Sequence, residues 1–162
     1  MKNSVNICAA VLTVSDTRKR SDDISGTKVA ELLVKMGAAV IDETIVSDDS
    51  DEISGALMRM SDRPDVNLII STGGTGFGPR DNTPEATLEV IERQAPGIAE
   101  AIRRETYSGT PMAMLSRGVA GIRNKTLIIN LPGSPKAVEE CLEIIRPILQ
   151  HAIDLISGHT KH

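Results

Sequence analysis

Four short apolar runs alternate along this chain with segments whose apolar residues recur every three or four positions. Val5–Ser15 is rich in Val, Ile, Leu and Thr and reads as a buried strand. Ala38–Val46, Val66–Ile70 and Lys125–Leu131 also read as strands. Between the first two runs, Val29, Leu32, Leu33 and Met36 form a helical stripe that Ser25 can cap and Gly37 stops. Asp49 and Glu52 have capping-box spacing before a stripe of Ile53, Ala56, Leu57 and Met60. Strands alternating with helices predict an α/β fold, three-layer α/β/α, around a central, mostly parallel sheet. At 162 residues the chain is most simply a single domain, 1–162, with no internal repeat or linker.

Further along, Thr83 with Pro84 opens a helix running through Leu88 and Ile91, which Pro96-Gly97 is expected to break. Ile98–Tyr107 makes another helix, and residues 108–124 are the least readable stretch. A long striped helix from Pro135 to Ile156 carries Pro147, which is expected to kink or divide it. The tail Gly158–His162 reads as frayed.

Composition narrows the function. Phe77 and Tyr107 are the only aromatic residues, too few for a platform that stacks single-stranded nucleic acid. The formal net charge is −4 with no long basic block, which argues against nucleic acid and anionic membranes as partners. The first apolar run is too short to span a bilayer and lacks a cleavage site, so no signal peptide or transmembrane helix is expected, and the cytoplasm fits. Cys8 and Cys141 are the only cysteines and read as small buried hydrophobes. His151, His159 and His162 lie on a late helix and in the tail, with no metal-ligand spacing.

Ligands of open α/β sheets collect beyond the carboxyl ends of the strands. Three of those ends are unusually polar: Ser15-Asp16, Ser71–Asp81 and Asn130–Ser134. Ser47–Asp51 follows the second strand and adds carboxylates to the same rim, although such a run is usually a solvated helix start. The middle segment, STGGTGFGPRDNTPEA, places Gly73, Gly74, Gly76 and Gly78 within six positions. It matches neither GxxxxGK[ST] nor GxGxxG, yet bare backbone before a helix start suits a phosphate cradle. The competing reading is a tight strand-to-helix connection that needs positive φ. Asp81 is either a helix cap or a carboxylate that ligates magnesium beside bound phosphates. Arg80 either neutralises Asp81 or touches phosphate.

The stretches TGGTGFGPRDNTPEAT and AMLSRGVAGIRNKTLIINLPGSPKAVEEC, with VLTVSDT near the start, resemble the molybdopterin adenylyltransferase family of molybdenum-cofactor biosynthesis. The likeness covers residues 5 to 157, essentially the whole chain. It implies a trimeric α/β protein that joins ATP to molybdopterin, with Mg2+ assisting, and releases pyrophosphate. By the same resemblance, nucleotide lies along Gly73, Gly74, Thr75, Gly76 and the Pro132-Gly133-Ser134 turn. Ser15, Asp16, Thr72 and Ser116 match positions on the pterin side, and Asn130 joins this substrate-binding set. Two aspartates carry catalysis and metal binding in the family. One matches Asp81; the other matches Asp48, with Asp49 left open because Ile45-Val46-Ser47-Asp48-Asp49 departs from the usual Pro-Asp-Glu context. Asn82 stands where the family usually has valine. A non-catalytic molybdopterin carrier or assembly module is the alternative, and a molybdate-inserting enzyme is implied as a further partner.

Overall fold

Burial along the central strands assigns alternate residues to two separate cores. The computed structural model describes residues 4–159, so His162 and the end of the expected frayed tail lie outside the described residues. Strands β1 (Cys8–Val14), β2 (Ala39–Val46), β3 (Leu68–Thr72), β4 (Arg93–Gln94), β5 (Ala120–Arg123) and β6 (Thr126–Leu131) form one sheet in the order β2-β1-β3-β6-β5-β4. Helices α1 (Ile24–Lys35), α2 (Ser50–Ser61), α3 (Thr83–Val90), α4 (Pro96–Tyr107) and α5 (Pro135–Ile156) cover its faces. Ala9, Val11, Leu68, Ile70, Leu127 and Ile129 pack with α1, α4 and α5. Their strand neighbours Ala10, Leu12, Ile69 and Ile128 pack with α2 and α3. Because successive strand residues face opposite ways, a strand apolar at every position must be covered on both faces.

The four sequence-predicted strands are the parallel ones: β1 lies between β2 and β3, and β3 pairs with β6. Their carboxyl ends therefore share one edge, and the chain leaving β1 runs toward β2 on one side while the chain leaving β3 runs toward the β6 side on the other. The antiparallel β4 and β5 were not legible in the sequence. β5 lies in the unreadable stretch, and β4 is two residues long. Gly121 makes their pairing possible, since a Cβ there would lie 2.8 Å from the Arg93 carbonyl oxygen.

Several local expectations are corrected. Asp23, not Ser25, caps α1: its carboxylate accepts from the Gly26 amide at 2.9 Å and from the Thr13 hydroxyl at 2.6 Å. Ser25 lies within the first turn and donates its hydroxyl to the Gly133 carbonyl at 2.5 Å. Pro96 starts α4 rather than breaking α3, which ends at Val90 so that Arg93 and Gln94 can pair with β5. A proline costs no helix hydrogen bond at a first position. The helix α5 runs undivided through Pro147. Pro147 and Glu143, whose carbonyl the missing N–H would have met, are both exposed, so water can take that role. Cys141 is buried as expected; Cys8 is only partly so.

Candidate active site

The glycine loop leaves β3 and turns sharply before α3. Gly73 has φ +100°, and a Cβ there would lie 2.3 Å from the Val14 carbonyl oxygen. Gly74 has φ +67°, with Thr83 Oγ1 2.4 Å and Asp48 Oδ1 3.3 Å from its ideal Cβ position. These two residues answer to backbone conformation and close passage. Gly76 and Gly78 serve another purpose, because a Cβ on either would sit 2.9 Å from Asp81 Oδ2. They make room for that carboxylate, which accepts from the Gly78 amide at 2.8 Å. Asp81 thus folds back into the loop and does not cap α3; Asn82 holds the cap position without a side-chain cap bond.

Two further aspartates arrive from neighbouring strands. Past β1, the Asp16 amide donates to Asp48 Oδ2 at 2.8 Å; past β2, the Asp48 amide returns the bond to Asp16 Oδ1 at 3.0 Å. Arg80 grips Asp16 with both prongs at 2.8 Å, so it neutralises Asp16 rather than Asp81. This guanidinium holds the Asp16 carboxyl down at about 2. Asp48 is pushed above the ordinary carboxylate value, first by burial and then by the charges of Asp16 and Asp81, against the opposing pull of the Asp16 amide. Asp49 is committed elsewhere, capping α2 through the Asp51 and Glu52 amides at 3.0 and 3.1 Å. Geometry thereby separates the two adjacent acids: Asp48 faces Gly74 and Asp49 serves the helix.

A cavity of about 460 Å³ opens beside these groups. Gly74, Thr75, Gly76 and Asp81 line one side; Pro132, Gly133 and Ser134 line another; Ser116 also contributes. Ile102, Met112, Leu115 and Cys141 give the remaining wall broad apolar surface, interrupted by Arg103, Thr106, Thr110 and Glu140, which suits a flat ring with polar edges next to a phosphate end. Ser134 caps α5 through the Ala137 amide at 3.2 Å. Gly133 lets the two loops touch, its ideal Cβ position being 3.4 Å from Gly73 Cα.

Ser15, Asp16, Gly73 and Asp48 lie outside this lining. Ser15 accepts from the Arg18 amide at 3.1 Å. Thr72 and Asn130 are buried beneath the loops rather than presented to the cavity. The Thr72 hydroxyl donates to the Pro132 carbonyl at 2.7 Å, and the Asn130 amide group donates to Ser71 and Thr87 at 2.9 and 3.0 Å. Among the described residues no three Asp, Glu, His or Cys side chains form a ready metal cage.

Residues 10–151 match the family described as probable molybdopterin binding domain. The chain belongs to that family. It is 42% identical over 153 residues to the molybdopterin adenylyltransferase of Helicobacter pylori, covering 92% of this chain and 87% of the relative. Molybdenum cofactor biosynthesis protein B of Halalkalibacterium halodurans is 37% identical over 88% of this chain and 86% of its own length. Among solved structures, the molybdopterin biosynthesis enzyme MoaB of Thermus thermophilus superposes with a TM-score of 0.87 at 44% identity, covering 94% of this chain and 97% of that one.

Within this molybdopterin-binding fold, sequence reasoning missed the arginines and amides that hold the loops. Arg18 donates to the Gly133 carbonyl at 3.0 Å and to Ser25 at 3.1 Å. Arg103 donates to the Gly118 carbonyl at 2.8 Å. Asn82 ties the Asp48 carbonyl to the α3 start at 2.9 Å. Only the three-dimensional neighbours distinguish these from ordinary surface side chains.

Proposed function

We propose that this chain is a molybdopterin adenylyltransferase, converting ATP and molybdopterin into adenylyl-molybdopterin and pyrophosphate. The observation that carries the reading is the convergence of Asp48 and Asp81, from two different strand ends, on a glycine loop beside a half-apolar cavity. The names borne by relatives around 40% identical support it. In this reaction a molybdopterin phosphate oxygen attacks the α-phosphorus of ATP. A new phosphoanhydride forms, the bond to the β-phosphate bridging oxygen breaks, and pyrophosphate leaves.

Hard oxygen ligands suit Mg2+, which commonly takes one or two carboxylates and completes its shell with phosphate oxygens and water. Asp48 and Asp81 are the residues that would hold it, and the Asp48 carboxyl is raised first by burial and then by the charges of Asp16 and Asp81, which a bound cation would offset. When bound, the ion would offset the repulsion between attacking and attacked anions. The chain itself contributes position. The amides of Gly74 to Gly76 and the start of α5 bracket the phosphates, and the apolar wall holds the ring so that the reacting atoms meet in line. Arg80 keeps Asp16 ionised, and Asp16 in turn fixes Asp48.

The same reading extends to a homotrimer working in the cytoplasm and delivering its product to a molybdate-inserting enzyme. Exposed Met112 and Met114 offer apolar surface for assembly, and sedimentation as a monomer would count against it. No helix among the described residues is long and apolar enough to cross a membrane.

The deciding experiment measures pyrophosphate release from MgATP with and without molybdopterin, for the wild type and Asp81→Asn. Pterin-dependent release that falls about 100-fold or more in the variant is the expected result. Tight pterin binding without release would return the chain to a carrier role.

A further inference from the structure

The glycine loop raises a question its own residues do not answer. A segment holding Gly73, Gly74, Gly76 and Gly78 loses more conformational freedom on ordering than other sequences do, so something outside it must keep it in one shape. That role falls to Arg117, which comes from the stretch between α4 and β5. Its amide donates to the Thr75 carbonyl at 2.8 Å. Its Nε donates to the Gly76 carbonyl at 2.8 Å and its Nη2 to the Asp81 carbonyl at 2.7 Å. Both terminal nitrogens also meet the carboxylate of Glu85, in the first turn of α3. One planar group thus grips both ends of the bend that turns the Asp81 carboxylate inward, and α3 anchors it from behind. Arg103 secures the clamp by donating to the Ser116 and Gly118 carbonyls on either side of Arg117.

Resting on the adenylyltransferase reading, we propose that Arg117 is a positioning residue for the reaction. Braced by Glu85, it fixes the span from Thr75 to Asp81 so that loop amides and the Asp81 carboxylate face the substrate phosphates in one register. Arg117 does not line the cavity, so its effect passes through the loop. The requirement is for the guanidinium fork and not for a positive charge: a lysine ammonium carries all its donors on one nitrogen and cannot span two carbonyls and a carboxylate. Arg117 therefore sets kcat rather than substrate affinity.

The test compares wild type, Arg117→Ala, Arg117→Lys and Glu85→Gln by steady-state pyrophosphate release, thermal unfolding and amide hydrogen exchange of the ligand-free protein. Arg117→Ala is expected to lower kcat about 100-fold while KM for ATP stays within about threefold, the signature of misplacement rather than lost contact. Arg117→Lys should recover little, and added guanidinium ion should restore part of the Arg117→Ala rate. Exchange at Gly76, Phe77, Gly78 and Asp81 should rise in Arg117→Ala while the core strands stay protected. Glu85→Gln, which keeps the carbonyl bonds, should show the same pattern more weakly, and it carries the test if Arg117→Ala fails to fold. Full rescue by lysine, a rise confined to KM, or unchanged loop exchange would overturn the proposal. Should the wild type release no pyrophosphate, the adenylyltransferase reading falls, and the loop exchange then decides separately whether Arg117 holds the loop.

Discussion

The chain leaves β2 and β3 at the same edge of the sheet, and each departure brings an aspartate toward the other. After β2 the path to α2 is short, Ser47 to Asp49, and its two acids divide the work. Asp49 caps the helix, and Asp48 is left to face Gly74. After β3 the path is long, Gly73 to Asn82, and no acid caps α3 at all. Asp81 turns back onto the loop, and Asn82 donates to the Asp48 carbonyl instead of serving its own helix. The lesson is that an aspartate before a helix is structural when the helix amides claim it and available for chemistry when they do not. A short loop enforces the claim through geometry; a long glycine loop releases it.

The largest expected effect lies in the long loop. Gly73→Ala places a Cβ against the Val14 backbone at a positive φ and should cost about 3 kcal/mol or more in an unfolding titration. Gly37, also at positive φ but with open surroundings, should lose only about 1 kcal/mol on the same change. Equal losses would show that the close approach to β1 is unimportant.

Next come the adjacent acids. Asp48→Asn should lower turnover about 100-fold and, in metal-free buffer, melt no lower than wild type, because it relieves a partly buried carboxylate beside Asp16 and Asp81. Asp49→Ala should do the reverse, losing about 1 kcal/mol of stability with α2's cap while turnover persists. Matching phenotypes would erase the division between them.

A smaller effect depends on pH. The guanidinium of Arg117 holds the Glu85 carboxyl below its ordinary value of 4.5. A carboxyl lowered in the folded state contributes stability that is complete above the unfolded value and fades as the pH drops through the folded one. Loop protection should therefore weaken as the pH falls below the ordinary carboxyl value of 4.5 in the wild type, and the Glu85→Gln variant should lack that component. The smallest change expected is Asn82→Val, which releases the Asp48 carbonyl at a partly exposed site and should cost about 1 kcal/mol or less. A large loss of turnover there would mean that the link between the two departures matters more than either loop's own geometry.

Much of the framework was legible because it depends on near neighbours in the chain. The β1, β3 and β6 runs are mostly apolar, the stripes of α1, α2 and α5 repeat at helical spacing, and Asp49 sits where a cap belongs. The glycine loop with Asp81 was visible for the same reason, since close glycines and a following proline signal unusual backbone whatever surrounds them. What remained hidden requires partners far away in sequence. Spacing points to Ser25 as the cap of α1, and the role passes to Asp23 only where the fold brings Thr13 to its carboxylate. Asp49's capping spacing was visible, but that Asp48 faces Asp16 and Gly74 emerges only in the fold. Arg117 reads as an ordinary arginine until the fold lays it across Gly76 and Asp81. Local spacing determines where strands, helices and bare backbone occur, because those preferences act over a few residues. Which polar side chain meets which carbonyl is decided by the packing of strands and loops distant in sequence, where burial makes an unmatched group costly.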